Sequence, residues 1–147
     1  MKKIRIVIPA IAALTCASLA AMAVAHVVRH DSTVTIGYHD HGVGDDTMDG
    51  QVHSARQACE SFRFVRIKEV TPGRDKTAGA GFTNFNGHYS IEHKEFGEYE
   101  RGEYYARAVK EVRRRNASHA HICRADNSGT VIVSDGPVRL SDPVTTD

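Results

Sequence analysis

The chain has 147 residues, of which 41% are hydrophobic and 25% are charged, and its formal net charge is +1. This length suits one domain, and the balanced charge argues against the basic face of a nucleic-acid-binding protein. All nine histidines lie after Ala25, so the first stretch of the chain differs sharply from the rest.

Residues 1–25 have the three parts of a secretory signal peptide. Two lysines and an arginine come first, an uncharged apolar stretch follows, and Ala23, Val24 and Ala25 end it with the small-x-small pattern of a cleavage site. We predict cleavage between Ala25 and His26, which places the protein in the extracellular space or cell envelope. The alternatives are an uncleaved membrane anchor and a lipid anchor at Cys16.

Removal of this segment changes both the charge and the number of cysteines. It takes away three of the 19 basic residues and none of the 18 acidic ones, which leaves a net charge of −2. Cys16 is lost, so Cys59 and Cys123 remain, and an even pair in an exported chain indicates one disulfide. A loop of about 64 residues closed in this way is worth roughly 4 kcal/mol. Free thiols or a metal pair suit an oxidising compartment less well.

Short runs rich in β-branched and aromatic residues, separated by turn residues, predict an all-β fold. We expect an antiparallel β-sandwich of about seven strands. The predicted strands cover 32–38, 50–54, 62–70, 78–85, 88–93, 103–112, 120–123 and 130–134, and only 109–115 has any helical character. This divides the chain into a signal peptide (1–25), an N-terminal strand and polar loop (26–49), the sandwich core (50–135) and a loose tail (136–147).

Alternation within the strand at 62–70 assigns its two faces. Val65 and Ile67 should face the core, whereas Phe62 and Phe64 point outward and are candidate contact residues for a partner. Further along, Asn86 and Gly87 lie between two alternating runs, and this pair is typical of a tight hairpin turn.

Five motifs in a fixed order resemble those of a known group of domains. They are Cys59-x-x-x-Arg63-x-Val65-x-Ile67, Pro72-Gly73-x-Asp75, Thr83-Asn84-x-x-Gly87-x-Tyr89, Gly102-x-Tyr104-Tyr105-Ala106-Arg107, and Cys123 with Ser128. Together they resemble exported bacterial domains with a transthyretin-like or carboxypeptidase-regulatory-like sandwich. The resemblance implies a non-enzymatic module that binds a protein or carbohydrate partner or serves the cell envelope. We expect no nucleic-acid partner, and no membrane association after cleavage.

Two His-x-His pairs suggest a second function. His39 and His41 are followed by two aspartates, Asp45 and Asp46, while His119 and His121 lie in a predicted strand. Residues i and i+2 of a strand project from the same face, so either pair could bind zinc or copper. The alternative is that these histidines are simply solvated.

One enzyme hypothesis uses the second pair. The segment from Arg115 to His121 is similar to the Arg-Pro-x-His-x-His segment of intradiol ring-cleavage dioxygenases. That resemblance implies ferric iron held by His119, His121 and two tyrosines, drawn from Tyr89, Tyr104 and Tyr105. The proline is missing, however, and one extra residue intervenes. The closing Tyr-Arg-Gly-Ser of the transthyretin-like hydroxyisourate hydrolases is absent, so that activity is not expected.

Overall fold

The computed structural model describes residues 26–41, 46–93, 98–116 and 119–134. The described part is all-β and contains one 3₁₀ turn (Gln57–Cys59). Its strands are β1 (His26–His30), β2 (Ser32–Val34), β3 (Gly37–His39), β4 (Thr47–Ser54), β5 (Phe64–Glu69), β6 (Lys76–Phe82), β7 (His88–Glu92), β8 (Gly102–Ala108), β9 (Glu111–Asn116), β10 (His119–Cys123) and β11 (Asp126–Val133). The predicted signal peptide and tail lie outside the described residues.

Two four-stranded antiparallel sheets pack against each other, as the sequence predicts. The front sheet has the order β11-β8-β5-β6. In the back sheet the central strand β4 pairs with β2, β3 and β7. The predicted strand 32–38 is split into β2 and β3. The split has a local cause, because the amide of Gln51 in β4 donates to the Thr35 side chain, Oγ1, at 2.9 Å.

The core lies between these two sheets, where alternate residues of β2, β5, β7 and β8 are buried. Val65 and Ile67 are fully buried in β5, which confirms the predicted face of that strand. The cluster comprises Val34, Met48, Val52, Val65, Ile67, Ala78, Tyr89, Ile91, Tyr99, Tyr104, Ala106, Ala108 and Val133. Burial of this apolar area is the main stabilising contribution to the sandwich.

A third, smaller sheet has the order β1-β10-β9 and is called here the side sheet. Strand β1 runs parallel to β10, whereas β9 is antiparallel to it. The sequence suggested helical character at 109–115 and a single strand through 103–112. Both interpretations are wrong, since β8 ends at Ala108 and β9 begins at Glu111.

A disulfide and a buried arginine are two of the connections between the side sheet and the sandwich, beside the hydrogen bonds that Glu111 and Arg113 of β9 make to residues 61–64. The predicted disulfide joins Cys59 of the 3₁₀ turn to Cys123 of β10, and both residues are fully buried. The buried Arg63 guanidinium donates to the carbonyl oxygens of Cys59 at 2.9 Å, Val109 at 2.8 Å and Arg124 at 2.9 Å. Burial lowers the pKa of Arg63, and three backbone acceptors offset the cost of burying its charge.

Disulfides of this kind are typical of oxidising, extracytoplasmic compartments. Within the four described segments, no helix has the length and apolar character needed to cross a bilayer.

Candidate functional site

An open groove with a volume of about 760 Å³ lies on the outer face of the back sheet. Strands β4 and β7 form its floor, and the chain after β6 forms one wall. Most of its described lining residues carry polar side chains, and neither lysine nor arginine is among them. It consists of Thr35, His39, His41, Thr47, Asp49, Gly50, Gln51, Phe82, Thr83, Asn84, His88, Tyr89 and Ser90. Such a surface offers many hydrogen-bonding groups and little net charge.

A tight turn between β6 and β7 fixes the wall of the groove. The sequence predicted a hairpin here, but β6 pairs with β5 in the front sheet and β7 pairs with β4 in the back sheet, so the turn crosses from one sheet to the other. Asn84 accepts hydrogen bonds from the amides of Asn86 at 2.9 Å and His88 at 3.1 Å through its side-chain oxygen, Oδ1. Gly87 has a φ of 81°, and a Cβ there would collide with the carbonyl oxygen of Val52. The turn therefore needs glycine, and its rigid backbone sets where His88 enters the groove.

Tyr89 and Gly50 shape the floor of the groove. The Tyr89 hydroxyl donates to the carbonyl oxygen of Thr35, and a Cβ on Gly50 would collide with that hydroxyl and that carbonyl group. Burial, assisted by the nearby Asp49, raises the pKa of Tyr89 far above its ordinary value. Tyr89 is therefore a neutral, structural donor at physiological pH.

The first predicted histidine pair, His39 and His41, lies beside this groove. The two rings stack with centroids 6.2 Å apart, and His39 Nε2 lies 3.2 Å from Asp49 Oδ2. The aspartate that this arrangement uses is therefore Asp49, which the sequence analysis did not select. Asp46 is instead buried and accepts a hydrogen bond from the Tyr38 hydroxyl at 2.9 Å. Asp45 lies outside the described residues.

The second predicted pair, His119 and His121, belongs to a row of four histidines on the side sheet. His119 Nε2 lies 3.1 Å from His121 Nε2, and His30 Nε2 lies 2.9 Å from His121 Nδ1. At the other end, His26 stacks on His119 with ring centroids 5.3 Å apart. We call His26, His119, His121 and His30 the histidine row.

Sequence reasoning missed His26 and His30 because it did not anticipate that β1 pairs with β10. The parallel register places His26 opposite His119 and His30 opposite Cys123. The spacing of four between the two histidines was a usable signal, since such residues share a face of a strand. The His119/His121 pair lies in the side sheet, whereas His39 ends β3 of the back sheet and His41 follows it, so the two pairs have different neighbours.

The surroundings of His121 favour its neutral imidazole. The pKa of His121 is lowered, first by partial burial and then by the positive charges of Arg56 and Arg115 and by its histidine neighbours. Nevertheless, as the side chains stand, the described residues contain no three His, Cys, Asp or Glu side chains arranged to hold one metal ion.

The tyrosines that the dioxygenase hypothesis requires are engaged in the sandwich. Tyr104 donates its hydroxyl to the carbonyl oxygen of Glu100 at 2.8 Å, and Tyr105 donates to Asp75 Oδ2 at 2.8 Å. Tyr89 is bound to Thr35, as described above. These contacts give the iron-site hypothesis no support.

The two candidate contact residues, Phe62 and Phe64, lie at the start of β5. Phe62 is 58% exposed and has a φ of 53°, a conformation that is rare for a bulky residue. Phe64 is half-buried because its ring packs on Phe82, with centroids 5.1 Å apart. Phe82 is itself 65% exposed and lines the groove, so an aromatic edge and the groove adjoin.

Comparison of the chain with models of protein families, with curated proteins and with solved structures gives no match. The structure therefore defines the protein by its fold, as an all-β sandwich with one disulfide.

Proposed function

We propose that this chain is an exported, non-enzymatic β-sandwich module that binds a partner outside the cytoplasm. The observation that carries the proposal is the groove beside Phe82, where an exposed aromatic ring adjoins hydrogen-bonding side chains. The resemblance to transthyretin-like and carboxypeptidase-regulatory-like domains agrees with such a role, as does the buried disulfide.

A neutral saccharide is the partner that best fits the chemistry of the groove. Its hydroxyl groups would meet donors and acceptors from Gln51, Asn84 and Ser90, while a sugar face would stack on Phe82. Among the lining residues that the structure describes, Asp49 is the one carboxylate, and it already faces His39. The described lining contains no lysine or arginine and so offers an anionic ligand no permanent positive charge.

Phe62 and Phe64 extend the same surface and remain candidate contacts for a larger partner. Hydrogen bonds continue past the ends of β5 and β6. The Phe62 amide donates to Asn84 O at 3.4 Å, and the Ser61 side chain, Oγ, donates to Phe85 O at 2.7 Å. Exposed Phe62 thus lies beside the wall of the groove. A long glycan or a glycosylated surface could contact both regions at once.

Export is tested by intact mass. We expect the full chain, expressed in a secreting bacterial host, to be recovered outside the cytoplasm with a mass that begins at His26 and includes one disulfide. Recovery with residues 1–25 retained would contradict cleavage and favour the anchored alternative.

Ligand binding is tested with an array of neutral glycans, followed by titration of the strongest hit. Replacing Phe82→Ala should weaken that binding on the order of tenfold, because a central aromatic contact is the type of residue that dominates binding energy. Ile132→Ala is a matched control, since Ile132 is 72% exposed but does not line the groove. Retention of no neutral glycan, or equal binding by the Phe82 variant, would refute the saccharide proposal without bearing on export.

A further inference from the structure

The histidine row is a second chemical feature, separate from the groove and on a different sheet. Between His119 Nε2 and His121 Nε2, which are 3.1 Å apart, only one proton can lie. One of the two nitrogens must therefore present a lone pair to the other. The Nε2 atoms of His119 and His121, which are potential metal ligands, therefore lie close together in one small region.

We propose that the histidine row binds a divalent transition-metal ion, Cu²⁺ or Zn²⁺, through the Nε2 atoms of His119 and His121. A metal–nitrogen bond of about 2.0–2.1 Å places two ligands of one ion roughly 3 Å apart when they meet at nearly a right angle. The observed 3.1 Å already matches that separation. The ion would take the place of the proton that the two nitrogens share, and imidazole is a preferred ligand of both metals.

His30 supports this assignment as a positioning residue. Its Nε2 lies 2.9 Å from Nδ1 of His121, the nitrogen that the ion would not use. Metal-ligating histidines generally have such a partner on the second ring nitrogen, where it fixes the tautomer and the ring orientation. His121 can donate its Nδ1 proton to His30 and keep Nε2 free for a metal.

His26 is the third ligand in this proposal. Its side chain is exposed and its ring already stacks on His119. Rotation of an exposed side chain is sufficient to bring a nitrogen to the ion, so the site is completed on binding. This accounts for the absence of a converged group of three in the described residues.

The other histidine pair provides an internal contrast. Its rings are stacked 6.2 Å apart and His39 Nε2 already faces Asp49, so its nitrogens are not directed at a common point. Around His121, by contrast, Arg56 and Arg115 add positive charge. Binding at the histidine row must therefore come from metal–nitrogen bonds, and we expect that added salt, which screens the repulsion between these arginines and the ion, does not weaken it.

The test is titration of the untagged full chain, stripped with a chelator, with Cu²⁺ alone. Calorimetry should give one ion per chain, and electron paramagnetic resonance should show coupling to at least two nitrogens. Replacing both ligands, His119→Ala with His121→Ala, should weaken binding by more than about a hundredfold, because loss of an outer-shell partner alone costs about 10–100-fold. The matched control, His39→Ala with His41→Ala, should bind as the wild type does.

Two outcomes would overturn the proposal. The first is a bound-copper spectrum from the unmodified protein without nitrogen coupling, which needs no variant and so cannot be confused with misfolding. The second is wild-type affinity in the His119/His121 variant, or loss of binding in the His39/His41 variant alone. Circular dichroism and the mass of the disulfide-bonded form establish that each variant is folded.

Discussion

The two-sheet sandwich and the side sheet are built from the same kind of strand but are stabilised by different interactions. The sandwich buries a continuous apolar cluster in which Met48, Val65 and Ile67 are fully buried. In the side sheet, Cys123 is the only buried residue among the described positions of β1, β9 and β10. Because few of its side chains are buried, we expect the side sheet to be locally less stable than the sandwich.

A short polar sheet with so little burial depends on the disulfide and on Arg63. These two connections reach β10 and the residue after it, Arg124. Strand β1 is more remote still, because it contacts the rest of the domain chiefly through β10. The side sheet should therefore respond to changes that leave the sandwich intact, and this difference can be measured.

Loss of the disulfide should have the largest effect. Replacing Cys59→Ala together with Cys123→Ala should lower the free energy of unfolding by about 4 kcal/mol, because the unfolded chain regains the entropy of a loop of 64 residues. Urea denaturation measures the loss in the free energy of unfolding. Hydrogen exchange shows which strands are affected, and the amides of β1 and β10 should lose more protection than those of β5 and β8. Equal loss in all four strands would contradict the proposed division of the molecule.

Loss of the Arg63 side chain should have the next largest effect. Replacing Arg63→Leu removes the donors to three backbone carbonyl groups and should cost about 3 kcal/mol in urea denaturation. Arg66→Leu, an exposed position on the same strand, should change stability by no more than about 0.5 kcal/mol. If the two variants were equally stable, Arg63 would not be a structural connection between the sandwich and the side sheet.

The sequence predicted the sandwich well because its information is local. Alternation identified the buried face of β5, the Asn-Gly pair identified a tight turn but not that it joins two different sheets, and the number of cysteines identified the disulfide. Each of these inferences uses residues that are close in the chain or has a single simple solution.

The side sheet was missed because its pairing is remote in sequence. His26 and His119 are opposite each other only because β1 joins β10 in parallel, and a five-residue strand with two histidines and an arginine carries little pattern. Tyr99 illustrates a related failure. It lies in a charged stretch that predicts a loop, yet it is fully buried, with its hydroxyl donating to the carbonyl oxygen of Ile91 at 2.8 Å.

High pH should destabilise the sandwich rather than the side sheet, because the buried tyrosines belong to the sandwich. Burial raises the pKa of Tyr104 to about 12, and it raises the pKa values of Tyr89 and Tyr99 further. In the unfolded chain all three ionise near pH 10.

The direction of the effect follows from linkage between proton binding and folding. Below pH 10 the tyrosines are neutral in both states and stability is unaffected. Above pH 10 the unfolded chain releases protons that the folded chain retains, so the free energy of unfolding falls as the pH rises.

Absorbance at 295 nm should show a delayed titration in buffer compared with the same protein in urea. Tyr99→Phe should reduce the alkaline loss while costing about 1 kcal/mol at neutral pH through its hydrogen bond to Ile91. Identical titrations in buffer and in urea would show that these hydroxyls are solvated, and the contrast between a buried core and a polar side sheet would then fail.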